Sequence, residues 1–139
     1  GVEPALFAQF ASGLRADYER AVGRFLALEA LGSDQAQTEL RELKAHVFER
    51  GVPTAAALEE GLRLLERIDL RAEVSSLRAP SLWIAGRRDR LIPAAAMHWA
   101  ATHAPNATYL EIPSGHAPFF AHAREVADAM IAFSRTACP

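Results

Sequence analysis

Only two segments of this sequence read as β-strands, and both are of a kind that needs neighbours. "PSLWIAG" (80–86) is a short apolar run bounded by Pro and Gly, the pattern of a buried strand in a parallel sheet. "ATYLEI" (107–112), closed by Pro113, is the second. Between them, Pro93 suits the first turn of a helix over Ala94–His103. A last helix is expected from about Ala123 to Ser134, with Val126, Met130 and Phe133 as its inner stripe. Strand, helix, strand, helix is the rhythm of an α/β layer. Two strands alone do not make a stable parallel sheet, so this half calls for more sheet than the sequence supplies.

Residues 1–70 follow a different pattern. Leu6, Phe7, Phe10 and Leu14 have the spacing of an apolar helix face, and Val22, Phe25, Leu26 and Leu28 continue it in a second helix. Gly32 suits the end of that helix and Ser33 the cap of a third, which carries Leu40, Leu43, Val47 and Phe48. Gly51 and Pro53 stop it. Thr54 can cap a fourth helix with Leu58, Leu62, Leu65 and Ile68 in register. The boundary between the halves is expected near residues 70–79, where "RAEVSSLRA" links them.

With 139 residues, half of them apolar, and a net charge of -2, the chain suits one globular domain or part of a larger one. Neither sign of charge dominates, which argues against nucleic-acid binding. Charges interrupt every apolar stretch too early for a membrane span. Cys138 is the single cysteine, and a lone thiol without an internal disulfide fits a reducing cytoplasm. His98 and His103, five apart, turn away from each other on a helix, and His46 stands apart. With no paired ligands in a metal-binding motif, neither a metal nor another cofactor is expected.

The chemistry lies just past the two strands. Asp89 follows the first in "GRRDRLIP" and His116 follows the second in "PSGHAPF". The rim beyond the carboxyl ends of strands is where open α/β sheets keep their sites. Taken singly, such an Asp is usually a turn former and such a His a surface or packing residue. Their matching placement points instead to a carboxylate that orients an imidazole, leaving the other ring nitrogen to take a proton from a nucleophile. Gly115 is expected to accommodate an awkward backbone at that turn. The order Asp then His is the last part of the Ser, Asp, His order of the α/β-hydrolases.

"PSLWIAGRRDRLIP" and "IPSGHAPFFAHAREVADAM" resemble the acid and histidine segments of α/β-hydrolases. "RFLALEALGSDQA", "LRELK", "GLRLLERIDLR" and "GHAPFFAHA" are similar, more narrowly, to the carboxylesterases that cleave the methyl ester of pimeloyl-acyl carrier protein in biotin synthesis. The resemblance runs the whole chain. It implies a helical cap over residues 1–70, and over 71–139 the C-terminal part of an α/β-hydrolase core. It makes Asp89 the acid and His116 the base. It also implies an acyl-carrier-protein partner, held by basic cap residues that fall on Arg20, Arg24 and Arg41. Gln37 stands where a further Arg is expected, which weakens that patch.

The residues themselves are consistent with the patch without requiring it. Arg20 and Arg24 share a helix face, as do Arg41 and Lys44. Glu19, Glu39 and Glu42 lie among them, as on any solvated, charge-mixed surface. Phe25, Phe48, Leu91 and Phe119 are candidates for lining an acyl channel, although aromatic residues at helical spacing are more often plain core. Leu91 and Phe119 are the better placed, beside Asp89 and His116.

No Gly-x-Ser-x-Gly nucleophile elbow occurs in the sequence. The expectation is therefore the C-terminal half of a longer esterase, inactive without an upstream half that brings the serine. A general esterase on the same fold is an alternative reading, and a dehalogenase or epoxide hydrolase would differ by carrying an Asp nucleophile in place of that serine. A non-catalytic helical binding module is the alternative from another class.

Overall fold

The structure is a computed structural model that describes residues 4–30, 36–49 and 51–137. Four helices come first: α1 (Pro4–Ala16), α2 (Tyr18–Ala30), α3 (Ala36–Glu49) and α4 (Ala55–Arg67). Leu14, Ala21, Val22, Leu26 and Leu62 form their buried core, and Phe7, Phe10, Leu40, Leu43, Val47 and Phe48 pack against it. Asp17 makes the α1–α2 corner. Its main-chain N–H donates to the Gly13 carbonyl, and its carboxylate accepts from the Arg20 N–H at 3.0 Å. At Gly13 a Cβ would sit 3.3 Å from the Ala21 Cβ, so the two helices approach closely there.

The terminators of α3 and the cap of α4 act as the sequence indicates. Gly51 has a φ of 84°, the left-handed region that glycine reaches without a Cβ clash, and its N–H closes on the Phe48 carbonyl. Thr54 Oγ1 accepts from the Ala57 N–H at 3.2 Å. Gly32, Ser33 and Cys138 lie outside the described residues.

The α4 stripe is only partly as expected. Leu62 is buried, but Leu65 is 67% exposed, and Leu64 and Ile68 are also exposed. The helix carries apolar residues on more of its surface than α1 covers. The "RAEVSSLRA" segment is not a bare linker. It contains the one-turn helix α5 (Arg71–Val74), entered through Asp69, whose carboxylate accepts from both the main chain and the guanidinium of Arg71. Those hydrogen bonds pull the Asp69 carboxyl down to about 2.

Strands β1 (Ser81–Gly86) and β2 (Ala107–Ile112) pair in parallel across helix α6 (Ala94–His103). The register runs from Ser81 opposite Ala107 to Gly86 opposite Ile112. A parallel pair cannot be joined by a hairpin, and α6 supplies the crossover. The short α7 (Pro118–Ala121) and then α8 (Ala123–Ala137) complete the fold. The sheet has two strands among the described residues. In consequence Leu82, Trp83 and Ile84 are half-buried rather than fully buried. For the same reason Met130, expected on the inner stripe of α8, is 57% exposed, while Val126 is buried. A sheet this narrow covers only one flank of the helix.

The burial difference along α4 has a direct test in urea unfolding. Leu62→Ala should cost about 2–4 kcal/mol, as large-to-small core changes do. Leu65→Ala, on the exposed flank, should stay within about 0.5 kcal/mol of the parent.

Candidate active site

Because the register ends with Gly86 opposite Ile112, the loops leaving the two strands begin side by side. The first turns back on itself, with the Asp89 N–H donating to the Gly86 carbonyl. Asp89 Oδ1 then accepts from the main-chain N–H groups of Leu91 at 2.7 Å and Ile92 at 2.9 Å. Asp89 Oδ2 lies 2.8 Å from His116 Nδ1. The Asp89 side chain is 6% exposed and that of His116 is 32% exposed. A carboxylate only accepts, so the proton in this bond belongs to Nδ1. In the neutral ring, Nε2 is then the lone-pair nitrogen. Asp89 is thus a turn former and a histidine partner at once, one oxygen for each task.

The glycine that this arrangement requires is Gly86. A Cβ there would meet the Gly115 carbonyl oxygen at 1.9 Å and the Ser114 carbonyl oxygen at 2.8 Å. Gly115, expected to relieve an unusual backbone, does not adopt a positive φ. Among the described residues only Gly51 does. Ser114 is buried, and its Oγ donates to the Gly115 carbonyl at 3.1 Å. It is a loop brace.

The other candidates are more dispersed. Leu91 is buried directly after the acid loop. Phe119 is 57% exposed, its ring tilted against Phe120. Phe25 stacks on Phe10 with ring centres 4.6 Å apart. It helps to line a cavity of about 130 Å³ between α1 and α2, with Arg24 also in its wall. Phe48 packs into the helical core and meets Tyr18 edge-on. Arg20, Arg24 and Arg41 are exposed. Lys44 of α3 reaches across to Gly23 of α2, where a Cβ would meet its Cε at 3.7 Å. That places a further cation against α2.

The remaining histidines have separate neighbours. His98 meets Tyr109 edge-on, His103 stacks on Trp99, and His46 faces Glu49. His122 faces Glu125, and its carbonyl accepts from the Val126 N–H of α8. Among the described residues, no group of three or more His, Cys, Asp or Glu side chains could hold a metal ion. No helix among them is long and apolar enough to cross a membrane.

Comparison with solved structures decides the architecture. The chain superposes on the enol-lactonase from Burkholderia xenovorans LB400 with a TM-score of 0.75 at 20% identity, covering 94% of this chain and 50% of that one. A thermophilic esterase from Thermogutta terrifontis gives 0.73 at 18% identity, covering 99% and 52%. An α/β-hydrolase from a deep-sea metagenome library gives 0.59 at 19% identity, covering 94% and 51%.

The fold is that of the C-terminal part of an α/β-hydrolase.

Curated proteins narrow the likeness. The chain is 53% identical over 133 residues to the pimeloyl-[acyl-carrier protein] methyl ester esterase of Xanthomonas campestris pv. campestris (strain B100), covering 95% of this chain and 53% of the relative. It is 52% identical over 139 residues to the same-named protein of Stenotrophomonas maltophilia (strain K279a), covering 99% and 54%. The chain spans about half the length of the curated relatives it matches. No protein-family model matches it.

Beside the pair, Glu111 of β2 accepts from Arg87 Nε at 2.7 Å and from the Tyr109 hydroxyl at 3.2 Å. The Arg87 hydrogen bond, the largest contribution, outweighs desolvation and, with the weaker help of Tyr109 and the charges of Arg87 and His98, lowers the Glu111 pKa. Burial and the neighbouring carboxylate raise that of Tyr109. With its folded value below its unfolded one, Glu111 stabilises the fold above the unfolded value. That contribution fades as pH falls through the folded value. Glu111→Gln should therefore flatten the decline of the thermal midpoint as pH drops below the ordinary 4.5. A midpoint profile parallel to that of the parent down to acid pH would contradict this.

Proposed function

We propose that this chain supplies the acid, the base and the cap of a carboxylesterase that hydrolyses the methyl ester of pimeloyl-acyl carrier protein. The observation that carries the reading is the 2.8 Å contact between Asp89 and His116 at the ends of adjacent parallel strands. The 53% identity to esterases of that name supports it.

The nucleophile is a serine from the upstream half of the hydrolase. His116 Nε2 takes the serine proton as the oxygen attacks the ester carbonyl. Asp89 holds the ring through Nδ1 and stabilises the imidazolium that forms. The tetrahedral intermediate collapses, and His116 returns the proton to the departing methoxide, which leaves as methanol. Water then attacks the acyl-enzyme, again through Nε2, and releases the free carboxyl group with the serine restored.

Residues 1–70 form the cap in this reading, and residues 71–139 belong to the core. Arg20, Arg24 and Arg41, with Lys44 beside them, face the acidic carrier protein. Complementary charge of this kind steers encounter, and salt weakens it. Phe25, Leu91 and Phe119 form apolar wall for the acyl chain.

The test joins this chain to the upstream residues of the Xanthomonas campestris relative. The fusion should hydrolyse pimeloyl-acyl-carrier-protein methyl ester, and the chain by itself should not. His116→Ala should cost on the order of a million-fold in turnover and Asp89→Asn about ten-thousand-fold. A folded fusion that cleaves no ester, or one indifferent to His116, would sink the reading. In the active fusion, Arg20→Glu with Arg24→Glu should raise KM for the carrier-bound ester about tenfold at low salt. The same pair should leave p-nitrophenyl acetate hydrolysis unchanged. An equal effect on both esters would remove the docking role.

A further inference from the structure

His116 sits in a segment with no regular structure, so something other than strand pairing must hold it. The carbonyls that lead up to it are all engaged. That of Ile112 accepts from the main-chain N–H groups of Arg87 and Ser114, both at 2.8 Å. That of Pro113 accepts from the Arg88 guanidinium. That of Ser114 accepts from the Arg88 N–H at 2.9 Å, and that of Gly115 from Ser114 Oγ at 3.1 Å. One residue, next in sequence to the acid, thus grips two successive carbonyls of the histidine loop.

The two grips differ in what they demand of the sequence. Any residue except proline supplies the main-chain N–H. The second bond needs a side-chain donor long enough to reach, and a hydrogen bond from a charged group outweighs a neutral one. Gly86 lets the loops close to this distance, since a Cβ there would strike the Gly115 carbonyl oxygen at 1.9 Å. Arg87 ties the strand ends together just before the loops, through Glu111.

We propose that Arg88 is a positioning residue: its guanidinium fixes the Pro113–Gly115 segment against the acid loop and so keeps His116 Nδ1 on Asp89. It acts through the loop that carries the ring. The geometric part is independent of the ester-hydrolysis reading, and the consequence for turnover rests on it.

Ring-nitrogen NMR of His116, at a pH where the imidazole is neutral, tests this in the full chain. In the parent, the proton should reside on Nδ1. Arg88→Met keeps the length and loses the donor. It should shift the Nδ1–H to Nε2–H ratio about tenfold, the factor carried by loss of one hydrogen bond to a charged group. The thermal midpoint should stay within a few degrees. Arg88→Lys, which keeps a cationic donor, should recover most of the ratio. Parent-like ring shifts in Arg88→Met, or identical behaviour of the Met and Lys variants, would overturn the proposal. If Arg88→Met does not fold, Arg88→Gln decides: its shorter neutral side chain should still displace the ratio, and a parent-like ratio there overturns the clasp.

In the active fusion, Arg88→Met should lower kcat about tenfold, the same hydrogen-bond factor, with KM little changed. A ratio that responds to Arg88 in a fusion without esterase activity would remove the ester-hydrolysis reading and leave the clasp standing.

Discussion

Parallel pairing of β1 with β2, in one register, is the constraint on which the rest depends. Parallel strands finish at the same edge, so the loops that follow them start as neighbours. With Gly86 opposite Ile112, residues 87–89 and 113–116 have no choice but to share space. A slip of one residue would reverse which side chains face the helices. It would also move Gly86 away from the Gly115 carbonyl, the one contact that no other residue type tolerates. The acid–histidine pair is therefore a product of sheet register first and side-chain chemistry second.

Electrostatics then refine what the register delivers. Asp89 is nearly buried. Two main-chain N–H groups and an imidazole N–H surround its carboxylate. The turn that satisfies Oδ1 also aims Oδ2. Turning the carboxylate out of this arrangement would break its bonds to the Leu91 and Ile92 N–H groups, so the imidazole meets a fixed partner.

Much of this was legible in the sequence, because apolar spacing and terminator chemistry are local. The cap at Thr54, the stop at Gly51, the helix over Ala94–His103 and the strand at 107–112 needed no knowledge of distant residues. The meeting of Asp89 with His116 was legible because both follow strands. What escaped was relational. Whether Leu65 or Met130 is covered depends on how much surface the neighbouring elements present, and periodicity does not carry that information. Gly115 drew attention as the glycine beside the histidine, yet the steric demand falls on Gly86, whose partner is 29 residues away in sequence. Arg88 carries no signal of its own within the "GRRDR" run. Its reach to the Pro113 carbonyl sets it apart.

The half-covered apolar faces have a consequence for how such a chain behaves in solution. Leu64, Leu65 and Ile68 on α4, Leu70 and Leu77 after it, and Met130 and Ile131 on α8 are all exposed. β1 adds half-buried side chains above and below an outer edge whose backbone groups have no strand partner among the described residues. A greasy margin beside an open strand edge is the combination that nucleates intermolecular stacking. Handling of the chain by itself is thus governed less by whether it folds than by how dilute it is kept, and a chaperone that shields bare sheet margins would prolong its useful life at the bench.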